Sequence, residues 1–261
     1  MEAARRLIRR IVGSNSAIYR AAANSINTMQ IARREGLGMV RTLAELSSAG
    51  KGPPQCLEFR SLLHPILVRP GSDDIATILN NIIREEYAKF LPHWEPLQMI
   101  DAGAFIGDTS AYFLSKYPTL SVIALEPEPE NLALARRNLA PYGNRIKLIP
   151  MALSGRAGVR AFVGGSVGGS LGSHGLMVEV TTVPDVLSMV QGGKLDILKM
   201  DVEGAELEIF LESPQSWLPQ VDLIIAELHG PATTQTVVNI LHKSGFGLRV
   251  HRSLSFFRRG W

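Results

Sequence analysis

Short apolar runs alternate with helical patterns along most of this chain, and this alternation limits the possible folds more than any other feature. Five runs have strand character, and four of them are followed by a helical pattern. The runs are LQMIDA, VIALE, IKLIP, LDILKMD and VDLIIAEL, and the helical patterns begin at Asp108, at Pro129, at Ala205 and near Thr233. Alternating strands and helices form βαβ units, whose strands make a parallel sheet covered by helices on both faces. The sequence therefore predicts an α/β fold.

Length and composition fit one such domain in a reducing compartment. The 261 residues are 46% hydrophobic and 20% charged, as in globular proteins that bury a full core. The single cysteine, Cys56, excludes an intramolecular disulfide, and no Cys/His cluster has the spacing of a structural zinc site. No apolar run reaches the roughly 18 to 20 residues that span a bilayer, and residues 1–19 lack the apolar core of a signal peptide. We expect a cytoplasmic protein.

The first 50 residues carry most of the positive charge. They hold eight arginines and three glutamates, a net charge of +5, whereas the remainder of the chain has a net charge of −2. In AARRLIRRIV, apolar and arginine residues take opposite sides of a short amphipathic helix. Two interpretations stay open: a docking or dimerisation helix with a solvated arginine face, or peripheral contact with anionic lipid at the inner face of a membrane.

Further helix is expected over residues 17–48, and AGKGPP, residues 49–54, has the composition of a linker. The predicted division is a basic helical extension over residues 1–55 and a folded domain over residues 56–261. Because the basic excess lies outside that domain and has no interleaved aromatic residues, we expect no nucleic-acid partner.

The stretch MIDAGAFIGDTS predicts a ligand-binding turn between a strand and a helix. The strand ends at Asp101, the turn contains Gly103 and Gly107, and the helix begins at Asp108 or Thr109. Glycines there let backbone N–H groups approach a ligand. A dinucleotide-binding fingerprint would have a glycine in place of Asp101, whose carboxylate would repel a pyrophosphate but attract an ammonium or sulfonium group. This favours S-adenosylmethionine (SAM) over NAD.

The ends of the next two strands complete a nucleoside site. Glu126 follows Asp101 by 25 residues and ends the second strand, where an acidic residue can accept hydrogen bonds from both ribose hydroxyls. The third strand ends in IPMALS, whose Met151, Ala152 and Ser154 are candidates for the adenine edge of the pocket. For Met151, packing in the core is an equal alternative.

Methyl transfer from a sulfonium requires an aligned acceptor and removal of its proton, and the end of the fourth strand offers carboxylates for that task. Asp201 is the first candidate for the base and Glu203 the second, with helix capping as the alternative for both. Glu206 is expected to interact with the helix dipole. Lys199 shares a face with Asp201 and is either its counter-ion or an exposed lysine.

The fifth strand ends in IIAELHG, which places Glu227 and His229 on one face. His229 is a candidate general base or a residue that orients the acceptor. Asp201, Glu227 and His229 are also a candidate set for a divalent cation that lowers the pKa of the acceptor, although catalysis without metal is the preferred interpretation.

Residues 155–182 interrupt the strand–helix alternation and predict a β-hairpin. Its tip, residues 164–175, is rich in glycine and serine. A mobile surface loop and a substrate lid are both compatible with that composition.

Three blocks of the chain resemble the FkbM-type SAM-dependent methyltransferases. They are IDAGAFIGDTS, ALEPEPENLALARRNL and LDILKMDVEGAELEIF, followed by IIAELHG, with a weaker match in HPILVRPGSDDIATILNNIIREEY. The resemblance covers about residues 57–230. It implies a Rossmann-like class I methyltransferase fold with a mostly parallel seven-stranded sheet, and methyl transfer to an oxygen, often a hydroxyl of a sugar or natural product.

The resemblance also implies that the segment before the first strand closes over the cofactor, with Glu86 or Tyr87 near its methionine end. An ordinary covering helix is the alternative. After the hairpin the family usually has a Thr-Leu-Asp run, whereas TTVPDVL puts Val183 and Pro184 there, which leaves Asp185 to supply the aspartate. The predicted cofactor-binding residues are Asp101, Gly103, Ala104, Gly107, Thr109, Glu126, Pro127, Met151, Ala152 and Glu86.

Together these features predict a SAM-dependent O-methyltransferase that acts on a hydroxyl of a sugar, a glycolipid or a related metabolite. The alternatives are an N-methyltransferase for an amine or a protein, and a SAM-binding scaffold without catalysis.

Overall fold

A computed structural model describes residues 27–91, 93–164, 170–172 and 174–261. The predicted amphipathic helix near the start of the chain lies outside these residues, as does part of the glycine-rich hairpin tip. Among the described helices, none combines the length and the apolar character that crossing a bilayer requires.

The first described segment is helical, as expected. Residues 27–35 form a helix that Gly36 separates from α1, Leu37–Ser48. Residues 49–54, the predicted linker, contain neither helix nor strand. After it, strands β1 (Gln55–Leu57) and β2 (Ile66–Val68) form an antiparallel pair.

Three short helices lead to the main sheet. They are α2 (Asp74–Ile78), a π-helix (Leu79–Ile83) and a 3₁₀ turn (Ala88–Phe90). Ile78, Ile82 and Ile83 are buried against the main sheet and its helices. The segment before the first parallel strand therefore covers one face of the sheet.

Seven strands form the main sheet. From one edge to the other the strands are β12 (Phe246–His251), β13 (Leu254–Arg259), β11 (Val221–Glu227), β10 (Leu195–Met200), β3 (Gln98–Ala102), β4 (Ser121–Leu125) and β5 (Ile146–Ile149). The five strands from β11 to β5 are parallel, and β13 pairs antiparallel with both β11 and β12. The predicted mostly parallel, seven-stranded α/β architecture is confirmed.

Four helices follow parallel strands of the main sheet, and their starts agree with the sequence pattern to within two residues. They are α3 (Asp108–Lys116), α4 (Pro129–Leu139), α6 (Glu206–Leu211) and α7 (Pro231–Lys243). Alternate residues of the central strands pack on opposite faces of the sheet. On β10, Ile197 joins one apolar cluster and Leu198 joins the other. A core on each side of the sheet holds the strand ends in place.

A four-stranded sheet lies between β5 and β10 in the chain. It consists of β6 (Ala152–Leu153), β9 (Leu176–Thr181), β7 (Gly158–Val163) and β8 (Ser170–Gly172), in that spatial order. Strands β7 and β9 pair antiparallel, which confirms the predicted hairpin.

The helix after the hairpin begins with a capping box. It is α5, Val183–Leu187. Thr182 accepts a hydrogen bond from the Asp185 backbone N–H, and the Asp185 carboxylate accepts one from the Thr182 N–H. Asp185 therefore caps this helix, with Pro184 in the first turn where it is well tolerated.

Candidate active site

The parallel strands β3, β10 and β11 end side by side, and close backbone contacts hold the loops that follow them. Gly103 has φ +79°, and a Cβ there would lie 2.0 Å from the Asp201 carbonyl oxygen. The Lys199 ammonium donates to the Gly103 carbonyl oxygen at 2.7 Å. Gly103 is therefore needed for contact with the loop after β10, a reason that the sequence did not reveal.

Asp101 differs from its predicted role toward a ligand cation. Its side chain is completely buried and lies 3.1 Å from the Lys199 ammonium, and it accepts a hydrogen bond from the Ser110 hydroxyl at 2.6 Å. Strand register explains the pair, because Lys199 lies opposite Asp101. Burial alone would lower the pKa of Lys199, but the nearby negative charges, Asp101 first, outweigh it and raise that pKa. Lys199 is thus a buried counter-ion of Asp101.

A second buried polar group supports the start of α3. Asn81 donates to the Asp108 carboxylate at 2.7 Å and to the Thr109 hydroxyl at 3.1 Å, and Thr109 lies 3.5 Å from the Tyr87 hydroxyl. Burial raises the pKa of Asp108 to about 6. The Thr109 side chain therefore takes part in a network beneath the turn, as does Tyr87.

Glu126 connects two loops at the predicted nucleoside site. One carboxylate oxygen accepts the Phe105 N–H at 2.8 Å, and the other accepts the Glu128 N–H at 2.9 Å. Burial raises its pKa to about 7, although these hydrogen bonds oppose the shift. Phe105 has φ +51°, an uncommon conformation for a side-chain-bearing residue. Each oxygen keeps a lone pair for a ligand hydroxyl.

The remaining predicted cofactor residues flank this position. Ala104 is buried, and its N–H donates to the Leu125 carbonyl oxygen. Gly107 has φ +84° and starts α3, where a Cβ would meet the Leu139 side chain at 2.8 Å. Met151 is half-buried and packs against the core, which agrees with the alternative that it is a core residue. Ala152 is buried in β6, and Pro127 is half-buried just after Glu126.

Asp201, Glu203 and His229 come together beyond the ends of β10 and β11. One potential ligand atom from each lies within 4.8 Å of the others. The Asp201 Oδ1 atom is buried without a hydrogen-bond partner among the described residues. Glu203 has φ +49°, a strained conformation of the kind that clusters at functional sites. The three catalytic candidates thus form one cluster with an unsatisfied carboxylate oxygen.

His229 is oriented by a carboxylate that the sequence analysis assigned only to the helix dipole. Its Nδ1 lies 2.9 Å from Glu206 Oε1, and Glu206 is completely buried at the start of α6. A carboxylate only accepts, so Nδ1 carries the proton and Nε2 faces Glu203 Oε2 at 3.2 Å. Burial alone would lower the pKa of His229, but the hydrogen bond and charge of Glu206, with Glu203 and Asp201, raise it.

The pKa of Glu203 is raised as well, mainly by burial and then by the charge of Asp201. His229 Nε2 and the Glu203 carboxylate face each other, and both have raised pKa values. The pair therefore tends to hold one shared proton, either on His229 Nε2 or on Glu203. This edge of the site can therefore hold or accept a proton.

Glu227 lies outside the cluster of ligand atoms, so Glu203 replaces it in the possible cation set. Glu227 accepts a hydrogen bond from Ser253, and burial raises its pKa. Glu86 is also buried, and burial raises its pKa to about 7 while the charge of Arg252 opposes the shift. The β12–β13 turn, which the sequence analysis did not single out, thus borders the site.

A family match covers most of the main sheet and its helices. Residues 101–248, more than half of the chain, match the Methyltransferase FkbM domain. The chain belongs to the FkbM methyltransferase family. The matched residues include the carboxyl ends of the five parallel strands, and the resemblance found in the sequence is confirmed.

Several curated methyltransferases are similar to this FkbM-family chain. Methyltransferase sdnD of Sordaria araneosa is 27% identical over 195 residues, 59% of this chain and 75% of that protein. Methyltransferase 1 of Beauveria bassiana is 24% identical over 183 residues, 59% of this chain and 74% of that protein. A ribosomal RNA small subunit methyltransferase H of Rhodococcus opacus is 40% identical over 58 residues, 22% of this chain. The chain spans only 17% of the length of that last relative.

Among solved structures, a methyltransferase FkbM from Methylobacillus flagellatus KT is 17% identical with a TM-score of 0.48. The alignment covers 70% of this chain and 53% of that one. A precorrin-6y C5,15-methyltransferase from Geobacter metallireducens is 14% identical with a TM-score of 0.44, covering 67% of this chain and 84% of that one. The fold class of the FkbM-family chain rests on its own sheet order and on the family match.

Proposed function

We propose that this protein is a SAM-dependent O-methyltransferase whose acceptor is a hydroxyl of a sugar, a glycolipid or a related small molecule. The observation that carries the proposal is the Asp201–Glu203–His229 cluster, where a buried carboxylate oxygen of Asp201 has no partner among the described residues. An unsatisfied buried acceptor is costly unless a ligand completes it. An acceptor hydroxyl would supply the missing donor.

The residues around the first turn fit the proposed cofactor. Glu126 offers buried carboxylate lone pairs for ribose hydroxyls. We propose that Met151, Ala152 and Pro127 border the adenine base. When bound, SAM would supply a methyl group already activated by the sulfonium charge.

The work left for the chain is to orient the acceptor and to hold its proton. Asp201 accepts the hydrogen bond of the acceptor hydroxyl and is the first candidate for its proton. His229, held by Glu206 and facing Glu203, is the second. Because Glu206 keeps the Nδ1 proton in place, the atom that exchanges a proton is Nε2.

Asp201→Asn tests the proposal. The change keeps the size of the side chain but removes its charge, so SAM should still bind while turnover falls by about 100-fold or more. Extracts incubated with methyl-labelled SAM identify the acceptor, and single-turnover kinetics then measure the loss. Asp222→Asn is the matched control, because Asp222 lies at the other end of β11 and pairs with Arg258. Near-normal turnover in Asp201→Asn would remove Asp201 from the mechanism.

A chelator distinguishes proton removal by the chain from activation by a cation. Asp201, Glu203 and His229 together offer two carboxylates and an imidazole, a donor set suited to a divalent ion. If a chelator abolishes turnover and Mg²⁺ or Mn²⁺ restores it, these residues act as ligands. If turnover persists, the residues themselves take the proton.

The assay also separates the alternative functions. Label found on an amine or a protein would indicate N-methyl transfer, and label on RNA would contradict the expectation that nucleic acid is not a partner. SAM binding without any labelled product would indicate a scaffold. We place the activity in the cytoplasm, since the exposed thiol of Cys56 forms no disulfide and suits a reducing compartment.

A further inference from the structure

A pocket lies at the edge of the sheet where the parallel strands begin. The candidate active site lies at the opposite edge, where these strands end. The volume of the pocket is about 310 Å³, within the range of small-molecule sites. Four cations line it: Lys89, Lys116, Arg249 and Arg258. Its aromatic walls are Phe90, Tyr117 and Trp261.

The position of these residues separates the pocket from methyl transfer. Lys116 and Tyr117 come at the end of α3, just before the turn into β4, so they lie near the beginnings of the parallel strands. Arg258 of β13 pairs with Leu223, near the start of β11. A ligand held here cannot present an atom to Asp201, which follows the end of β10.

Aromatic rings, rather than carboxylates, hold most of these cations. The Arg249 guanidinium lies 4.5 Å from the Trp261 ring centre and 5.6 Å from that of Phe90. Lys89 lies over Phe90 at 5.3 Å, and Lys116 lies over Tyr117 at 6.0 Å. Such contacts position a cation without cancelling its charge.

Little negative charge balances this group. Among the described residues, the only carboxylate within ion-pair distance of the four cations is Asp222, 3.3 Å from Arg258. Burial raises the pKa of Tyr117, and the negative charge of Glu95 raises it further. Glu95 forms no described ion pair with these cations. The pocket therefore concentrates positive charge in a part of the chain, residues 51–261, whose net charge is −2.

We infer that this pocket binds the phosphate group of a small soluble molecule. A compact anion with two or more charges would satisfy several cations at once, and the guanidinium of Arg249 can contact two phosphate oxygens together. The inference does not depend on the proposed methyl transfer. The proposed phosphate site lies where the parallel strands begin and is separate from the candidate active site.

Titration of the full chain with pyrophosphate tests the inference. Calorimetry measures binding, and tryptophan fluorescence, to which Trp94 and Trp217 also contribute, gives a second readout because Trp261 lines the pocket. The variant Lys116→Ala/Arg249→Ala should weaken pyrophosphate binding at least tenfold, and Arg249→Lys should weaken it less than Arg249→Ala. Lys147→Ala is the matched control, because Lys147 is exposed on β5, at the far edge of the sheet. Lys116, Arg249 and Lys147 are exposed, and unchanged thermal unfolding confirms that the variants fold.

Three results would overturn the inference. Absence of pyrophosphate binding at millimolar concentration would show that the cluster is no site. Equal weakening by Lys147→Ala would show that the binding is non-specific. Displacement of pyrophosphate by citrate at the same concentration would show that the pocket selects charge and not phosphate.

Discussion

The ionisable residues of the site owe their properties to burial at the carboxyl edge of the sheet. Burial raises the pKa of Glu126 and of Glu86 to about 7, and that of Asp108 to about 6. His229 is shifted upward by its carboxylate neighbours despite burial. Because of these shifts, the groups titrate near neutral pH. Their protonation should therefore change cofactor binding and the rate of turnover within the ordinary pH range.

Glu206→Gln should lower the pKa of His229, because the variant removes the charge that does most to raise it. NMR titration of the His229 ring measures the change directly. Since the charged pair stabilises the fold below the ordinary histidine pKa and loses that effect as pH rises through the raised value, the variant should lose most stability at low pH. Glu208→Gln, in the same helix but paired with Arg160, is the control. An unchanged His229 titration would contradict the assigned contact.

Glu126 should make SAM binding depend on pH. Its carboxylate is protonated below about pH 7, and a neutral acid is a weaker acceptor for ribose hydroxyls, so affinity should fall as pH drops below 7. Glu126→Ala should weaken binding by roughly 1 to 3 kcal/mol at pH 8. Glu126→Gln should flatten the pH dependence measured by calorimetry, whereas Glu130→Gln, at an exposed position in α4, should preserve it. Wild-type affinity in Glu126→Ala would exclude it from the site.

At the scale of elements, the loops after β3 and β10 form one unit. The Asp201 N–H donates to the Ala102 carbonyl oxygen, and Lys199 donates to the carbonyl oxygen of Gly103. A strand end on β3 therefore determines where Asp201 lies. The position of this candidate catalytic residue depends on the packing of two backbone segments that are about 100 residues apart in the chain.

Gly103→Ala should disturb that unit more than an ordinary positive-φ substitution does. The added methyl group would lie 2.0 Å from the Asp201 carbonyl oxygen, so one of the two backbones must shift. Gly192→Ala is the control, because Gly192 has φ +75° but no atom within 4 Å of the added Cβ. We expect the difference in unfolding free energy between the two variants to be about 1 to 3 kcal/mol, with turnover lost only in Gly103→Ala. Equal destabilisation in chemical denaturation would contradict the contact.

At the scale of the whole molecule, the two helices before the linker, residues 27–35 and α1, share the core of the α/β domain. Ile31 and Leu43 belong to the same apolar cluster as Ile82. The Arg34 guanidinium donates to the Ile83 carbonyl oxygen at 2.9 Å. The boundary at residue 55 stays a prediction, but α1 is packed on the fold and contributes to its core.

Leu43→Ala should therefore destabilise the whole domain. Leu43 is 2% exposed, and removal of a leucine side chain from a packed core costs roughly 2 to 5 kcal/mol. Leu37→Ala changes the same helix at a position that is 77% exposed, and should alter stability by less than about 0.5 kcal/mol. Thermal and chemical unfolding compare the two. If both variants unfold as the wild type does, α1 does not share the core.

The strand–helix alternation was sufficient to predict the five parallel strands, and its interruption predicted the hairpin over residues 155–182. The seven-stranded sheet followed only from the family resemblance, since no pattern had singled out β12 and β13. The parallel strands and the hairpin follow from local patterns of apolar residues, which report the period of a strand or helix directly. Carboxyl ends of parallel strands meet at one edge, so Asp201 and His229 could be expected together. The Glu206–His229 contact could not, because a carboxylate in a first helical turn is most often explained by the helix dipole.

By itself the sequence determined the α/β class, the order of the five parallel strands and the candidate polar residues near their carboxyl ends, because each depends on local periodicity and on chain order. Tertiary structure alone decided the orientation of individual side chains. Asp101 turned to Lys199 because strand register placed them opposite each other, and Glu203 took the place of Glu227 beside His229. The pocket around Arg249 was likewise assembled from segments far apart in the chain, whose contacts arise only when the sheet and its helices pack.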